Sequence, residues 1–259
     1  MIQPLKVAGI QSNLVWEDKA ANLSHLETLI KNAPQADLYV LPEMFSTGFS
    51  MRTKELAEPM NGPAHQWMQR AAKDRNAVIT GSLMIEENGK YYNRLLWVDA
   101  EGKTTFYDKR HRFTMAGEHE HYSRGEQNVV VEIKGWRVAL QVCYDLRFPV
   151  WSRNRGQYDV LLYVANWPEV RKSAWSKLLE ARAIENQCYV IGVNRVGKDG
   201  RDINHSGNSA LINPLGNVLS AVPENEEHIL ITEFDFQMLA DYRQKFPVLK
   251  DGDEFEVKA

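Results

Sequence analysis

The chain has 259 residues, enough for a well-buried core in one large domain or for two small ones. Its composition, 44% hydrophobic and 25% charged, is that of an ordinary globular protein. A formal net charge of −3, with no run of Lys or Arg, excludes a nucleic-acid backbone as partner.

Residues 1–11 hold one lysine and a short apolar stretch, without the h-region and small-residue cleavage site of a signal peptide. The apolar runs at 129–131, 138–140 and 160–164 are strand-sized and too short to cross a bilayer. The expectation is a cytoplasmic protein with no membrane partner and with Cys143 and Cys188 reduced. No Pro-, Gly- or Ser-rich linker divides the chain, so residues 1–259 read as one domain.

Apolar, β-branched runs alternate with helical periodicity, the pattern of an α/β layered fold. Residues 5–11 read as a strand. Leu23, Leu26, Leu29 and Ile30 then recur at helical spacing and predict a helix over 20–32. A strand over 38–41 is stopped by Pro42, a helix follows over 64–75, and another strand over 77–83. Residues 91–98 and 104–107 form a hairpin turning at 99–102, where Glu101-Gly102 is a turn signal. The alternation then repeats: strand 137–142, short helix 149–154, strand 159–164, helix 173–186, strand 189–193. A strand over 229–235, helical residues 237–245 and a polar tail complete the chain. This doubled order predicts two pseudo-equivalent sheets packed face to face, each with helices on one side. A local echo supports it weakly: Gln35-Ala36-Asp37 and Gln157-Tyr158-Asp159 precede corresponding strands.

Three residues at strand ends stand where α/β sheets collect catalytic groups. Glu43 follows Leu38-Tyr-Val-Leu-Pro42, Lys109 follows Thr104-Thr-Phe-Tyr-Asp108, and Cys143 follows Val138-Ala-Leu-Gln-Val142. A sharp strand-to-helix turn at Cys143 would expose its sulfur beside backbone N–H groups, although the glycines of the Gly-x-Ser-x-Gly elbow are missing. Taken one at a time, bland readings win: Cys143 as a small core hydrophobe, Glu43 as a solvated carboxylate, Lys109 as a surface lysine. Cys188, opening an apolar strand, reads as structural.

Together with their neighbours these residues form a longer pattern. It comprises Leu41-Pro-Glu43-Met-Phe45, Tyr107-Asp-Lys109-Arg-His111 and Gln141-Val-Cys143-Tyr-Asp-Leu-Arg-Phe-Pro149. Ala165-Asn-Trp-Pro168 and Ala181-Arg-Ala-Ile-Glu-Asn-Gln187 complete it. The chain resembles the nitrilase (carbon–nitrogen hydrolase) superfamily, and within it the ω-amidase branch, from Val7 to about Ile231. The resemblance implies a four-layer αββα sandwich that forms homodimers with sheets continuing across subunits. It also implies a Glu43–Lys109–Cys143 triad working without a cofactor on a small-molecule amide.

The chemistry accounts for these residue types. Amide carbonyls are poor electrophiles and free thiols are little ionised at neutral pH. Glu43 would take the thiol proton and pass it to departing ammonia; Lys109 and the backbone N–H of Tyr144 would stabilise the oxyanion. Family members carry a second glutamate beside the lysine. Glu118 and Glu120 both qualify, and Glu118 is preferred because its distance to Tyr122 and Gly125 matches the family's spacing.

Arg147, four residues past Cys143, is a candidate for binding a substrate carboxylate, as an arginine at this spacing does in related carbamoyl hydrolases. The alternative is a structural ion pair with Asp145. Trp167, Trp175 and Trp151 are read as packing and pocket-wall residues, with Trp167 a candidate substrate-binding residue, and Arg182–Glu185 as a structural ion pair. His111, His119 and His121 with Glu118 and Glu120 fit no compact zinc spacing, and no metal is expected. The leading reading is hydrolysis of the terminal amide of carboxylate-bearing substrates such as 2-oxoglutaramate or 2-oxosuccinamate. An N-carbamoyl amino acid hydrolase, a nitrilase, or a catalytically silent binding protein on the same scaffold are the alternatives.

Overall fold

A computed structural model of the protein describes residues 2–257. The first half holds β1 (Leu5–Gln11), α1 (Lys19–Asn32), β2 (Leu38–Val40), α2 (Thr53–Leu56), β3 (Glu58–Pro59) and α3 (Pro63–Arg75). β4 (Val78–Glu87), β5 (Lys90–Val98), β6 (Thr104–Asp108) and α4 (Glu118–His121) follow. The second half holds β7 (Val130–Ile133), β8 (Trp136–Val142), β9 (Val160–Ala165), α5 (Lys172–Asn186) and β10 (Tyr189–Asn194). It ends with β11 (Val196–Lys198), β12 (Asn204–Ser206), β13 (Ala210–Ile212), β14 (Val218–Ala221), β15 (His228–Phe234) and α6 (Phe236–Lys245).

One sheet has the order β15-β1-β2-β4-β5-β6, with β3 added to β4; the other has the order β14-β13-β10-β9-β8-β7. Each is built round three parallel strands, β1-β2-β4 in one and β8-β9-β10 in the other. This is the expected α/β sandwich.

Strand alternation sorts the first sheet's side chains between two cores. Leu5, Val7, Leu38, Val40 and Val78 join residues of the second sheet. Ala8, Ile10, Tyr39, Leu41 and Ile79 face α1 and α3, meeting Leu26, Ile30, Trp67 and Met68. Two glycines set the layer spacing. A Cβ on Gly9 would sit 3.0 Å from Val193 Cγ2 across the sheet interface, and one on Gly192 would sit 2.4 Å from Leu179 Cδ1 of α5. The outer helices are locally determined. Asp18 caps α1 by accepting from Ala21 N at 3.0 Å, and Ala33, extended ahead of Pro34, ends it. α3 starts on Pro63 and ends at Asn76 in the left-handed region.

The structure departs from the sequence reading in several places. No helix covers 149–154; that segment is turns, and the helical piece is a short 3-10 stretch, Cys143–Arg147, directly after β8. Trp151, there read as packing or pocket wall, donates from its indole to Tyr107 OH at 3.0 Å, so the segment is fixed by a side chain rather than by helical bonds. β4 runs on to Glu87 and pairs with β5 through a turn at Asn88-Gly89, both with positive φ. The short strands β11 to β14 went unread. No helix of the described residues is long and apolar enough to cross a membrane.

Candidate active site

β6 is separated from β4 by two antiparallel steps, so it runs with β2 and β4 and its C-terminal end reaches the same edge of the sheet. Glu43 stands just beyond β2, Lys109 just beyond β6 and Cys143 just beyond β8. The folded chain brings all three together with Glu118, and all four are buried.

The turn carrying Glu43 is tied to β4 through Met44 N, which donates to Ser82 Oγ at 2.8 Å, and Phe45 N, which donates to Ser82 O at 3.2 Å. Glu43 Oε1 accepts from Lys109 Nζ at 2.9 Å and from Asn93 Nδ2 at 2.7 Å. Its other oxygen accepts from Asn166 N at 2.7 Å, just past the end of β9, so the carboxylate bridges the two sheets. Lys109 Nζ also donates to both oxygens of Glu118 at 3.0 Å. Glu118, not the exposed Glu120, therefore stands at the lysine. Burial works against the lysine's charge, but the Glu118 and Glu43 carboxylates outweigh it and hold its pKa above the ordinary value. Burial pushes the Glu118 carboxyl up by more than Lys109 draws it down.

Cys143 adopts φ +46°, a conformation uncommon for a residue with a Cβ. Asp145 holds it there. One Asp145 oxygen accepts from Val142 N at 3.0 Å and from Tyr107 OH at 2.8 Å; the other accepts from His111 N at 2.9 Å. A single buried carboxylate thus ties the Cys143 turn to the segment carrying Lys109. It is fully occupied in this way, and Arg147 does not pair with it. Burial first, then the Glu43 carboxylate, raise the pKa of the Cys143 thiol well above an ordinary thiol's, with Lys109 opposing.

A cavity of about 70 Å³ opens over Cys143, lined among others by Glu43, Lys109, Tyr144, Arg147, Trp167 and Arg171. Trp167 is buried, and its backbone N–H donates to Asn194 Oδ1 at 2.7 Å. The β11–β12 hairpin, which the sequence reading passed over, supplies Asp199, Arg201, Ile203 and His205 to the rim. Also passed over were Asn93 and Asp145 as holding groups; Asn166 lay within a quoted motif without a role. Cys188 is fully buried in the core, its thiol directed at Arg182 O at 3.9 Å. Arg182 and Glu185 form the expected ion pair at 2.8 Å. Among the described residues no three His, Cys, Asp or Glu side chains converge in a way that would hold a metal ion.

Residues 6–244 match the family model for carbon–nitrogen hydrolases. The omega-amidase YafV of Escherichia coli K12 is 45% identical over 253 residues, covering 98% of each chain. The 2-oxoglutaramate amidase of Bacillus subtilis is 34% identical over 251 residues, covering 95% of this chain and 96% of that one. Among solved structures, XC1258 from Xanthomonas campestris, a CN-hydrolase superfamily protein with an arsenic adduct in its active site, superposes with a TM-score of 0.96. It is 42% identical, covering 99% of this chain and all of that one.

Proposed function

This chain belongs to the carbon–nitrogen hydrolase family, and from that premise we propose that it is an ω-amidase with Cys143 as nucleophile. It releases ammonia from the terminal amide of a small carboxylate-bearing substrate. The observation that carries the reading is Cys143 brought into one buried pocket with Glu43 and Lys109, the lysine held 2.9 Å from the Glu43 carboxylate. Because the thiol's pKa is raised, it is protonated at rest, and attack requires a base. Glu43 takes the proton as sulfur bonds to the amide carbon. Lys109 and the N–H of Tyr144 stabilise the oxyanion; losing one such donor typically costs about 3–4 kcal/mol of transition-state stabilisation.

Collapse breaks the C–N bond, Glu43 returns the proton to nitrogen, and ammonia leaves a thioester on Cys143. Water then attacks the thioester with Glu43 again as base, giving the carboxylate and the free thiol. Glu118 keeps Lys109 in place. Arg147, its guanidinium 4.9 Å from the Trp167 ring and paired with no carboxylate among the described residues, binds the substrate's carboxylate. The chemistry needs no metal or cofactor, since Lys109 supplies the positive charge. Residues 1–259 act as one domain in the cytoplasm. The chain works as a homodimer, for which the half-exposed Ile184 on α5 supplies apolar surface; sedimentation at the mass of one chain would overturn this.

An ammonia-release assay over 2-oxoglutaramate, 2-oxosuccinamate, glutamine, N-carbamoyl amino acids and simple nitriles tests the reading. The two 2-oxo amides are expected to be the best substrates, with the rate unchanged after dialysis against a chelator. Preference for a carbamoyl compound or a nitrile sinks the ω-amidase assignment. Failure on every compound, together with no labelling of Cys143 by an acylating probe, marks a binding protein.

A further inference from the structure

The cavity above Cys143 is lined by three arginines, Arg147, Arg171 and Arg201. Two of them are fixed by aromatic faces. The guanidinium of Arg147 lies 4.9 Å from the Trp167 ring centroid and that of Arg171 lies 5.2 Å from the Phe113 ring centroid. Trp167 Nε1 donates to Arg171 O at 2.8 Å, so the indole beneath one guanidinium also holds the backbone of the other. Phe113 in turn is anchored through its N–H to Glu118, the partner of Lys109. Arg201 differs: it is exposed, at the tip of the β11–β12 hairpin.

Neither Arg147 nor Arg171 pairs with a carboxylate among the described residues. The two acids lining the cavity are already engaged, Glu43 with Lys109 and Asp199 with the backbone N–H groups of Arg201 and Ile203. Two unpaired guanidinium groups sharing one cavity repel each other, and the repulsion is relieved when an anion sits between them. The anion's shape then matters. A plain carboxylate has two oxygens, which one guanidinium engages with two parallel hydrogen bonds, leaving only the outer lone pairs of the same two oxygens for the second. A 2-oxo carboxylate adds a third oxygen alongside, and both guanidinium groups are satisfied.

We propose that Arg171 is a specificity-determining residue that joins Arg147 in gripping the substrate's far end, and that the pair selects amides ending in a 2-oxo carboxylate. The proposal rests on the amidase reading above for its substrate and adds to it a second anion-binding residue.

The test compares 2-oxosuccinamate with succinamate, which has the same length and lacks the 2-oxo oxygen. Ammonia release is measured for the unaltered enzyme, Arg171→Ala and Arg171→Lys. Arg171→Ala is expected to lower the ratio of kcat/KM values, 2-oxo over plain, by about ten- to hundred-fold, the worth of a lost charge-assisted contact. Arg171→Lys keeps the charge without the fork and should recover part of it. An equal loss on both substrates means that Arg171 merely supports Phe113, and overturns the proposal; so does an unchanged ratio.

A second measurement keeps this apart from the reaction itself. Calorimetric titration of Cys143→Ala, with and without Arg171→Ala, reads binding of the two acids directly. If the unaltered enzyme releases no ammonia from either compound, the amidase reading fails. Selective loss of 2-oxosuccinamate affinity in the double variant would still sustain the role of Arg171, and equal affinities would end it.

Discussion

The connection from β1 to β2 and the connection from β8 to β9 occupy corresponding places in the two halves. The first is a regular crossover through α1, capped by Asp18 and docked by Asn22, Leu26 and Ile30. The second has no α-helix at all: Cys143 turns at positive φ, a short 3-10 stretch runs to Arg147, and turns cover the rest. In the first, local periodicity and a cap decide the conformation. In the second, the backbone is held by groups distant in sequence, Tyr107 and His111 acting through Asp145. Regular structure covers the sheet where nothing is asked of the strand end, and gives way where a thiol must point into a cavity.

The same contrast exists between the two cysteines, and breaking it should have the largest effect. Cys143→Ala is expected to abolish ammonia release, whereas Cys188→Ser leaves kcat/KM nearly unchanged, because only Cys143 stands beside Glu43 and Lys109. Mass spectrometry of the trapped acyl-enzyme should find the adduct on Cys143 alone. An adduct on Cys188 would remove the basis for treating the second connection as the active one.

What could be read in the sequence follows from the same physics. α1, α3 and α5 were legible because their buried residues recur at helical spacing. The strand-end positions of Glu43, Lys109 and Cys143 were legible once the surrounding blocks were read together. The expected helix over 149–154 failed because its apolar residues serve another end: Trp151 packs and donates to Tyr107 OH. The β4–β5 hairpin carried a strong local signal in Asn88-Gly89 that was passed over. β11 to β14 are three or four residues long, too short for periodicity to register. Asn93 had no local signal, since it acts on a group fifty residues away, and the partners that give Asp145 its role, Tyr107 and His111, lie more than thirty residues from it.

A sharper test separates the base from the nucleophile it serves. Glu43→Gln should lower the hydrolysis rate by about 10²- to 10⁴-fold, the usual worth of a general base. The Glu43 carboxylate is one of the groups that raise the Cys143 pKa, so removing its charge moves that pKa down. More thiolate is then present at any given pH. Alkylation of Cys143 by iodoacetamide, followed from pH 7 to 9, is expected to be faster in Glu43→Gln than in the unaltered enzyme even as hydrolysis collapses. Slower or unchanged alkylation would mean that Glu43 does not oppose thiolate formation.

The smallest effects compare two carboxylates that begin the two connections. Asp145→Ala removes the acceptor for Val142 N, Tyr107 OH and His111 N, leaving buried donors unpaired at about 1–3 kcal/mol each. A loss on the order of 3 kcal/mol, lowering Tm by about 10 °C, should accompany a fall in kcat/KM as the Cys143 turn and the Lys109 segment come apart. Asp18→Ala loses a helix cap, about 1 kcal/mol, and should lower Tm by about 2–4 °C. Its kcat/KM is expected to stay at the unaltered value, measured well below either melting temperature. There is one physical route by which it could fail to. Asn22 of α1 donates to Ser46 O at 2.8 Å, three residues past Glu43, so a loosened first turn has a path to the base. If Asp18→Ala lowers activity and added Asn22→Ala lowers it no further, the two act through that path, and α1 belongs to the site rather than only to the scaffold.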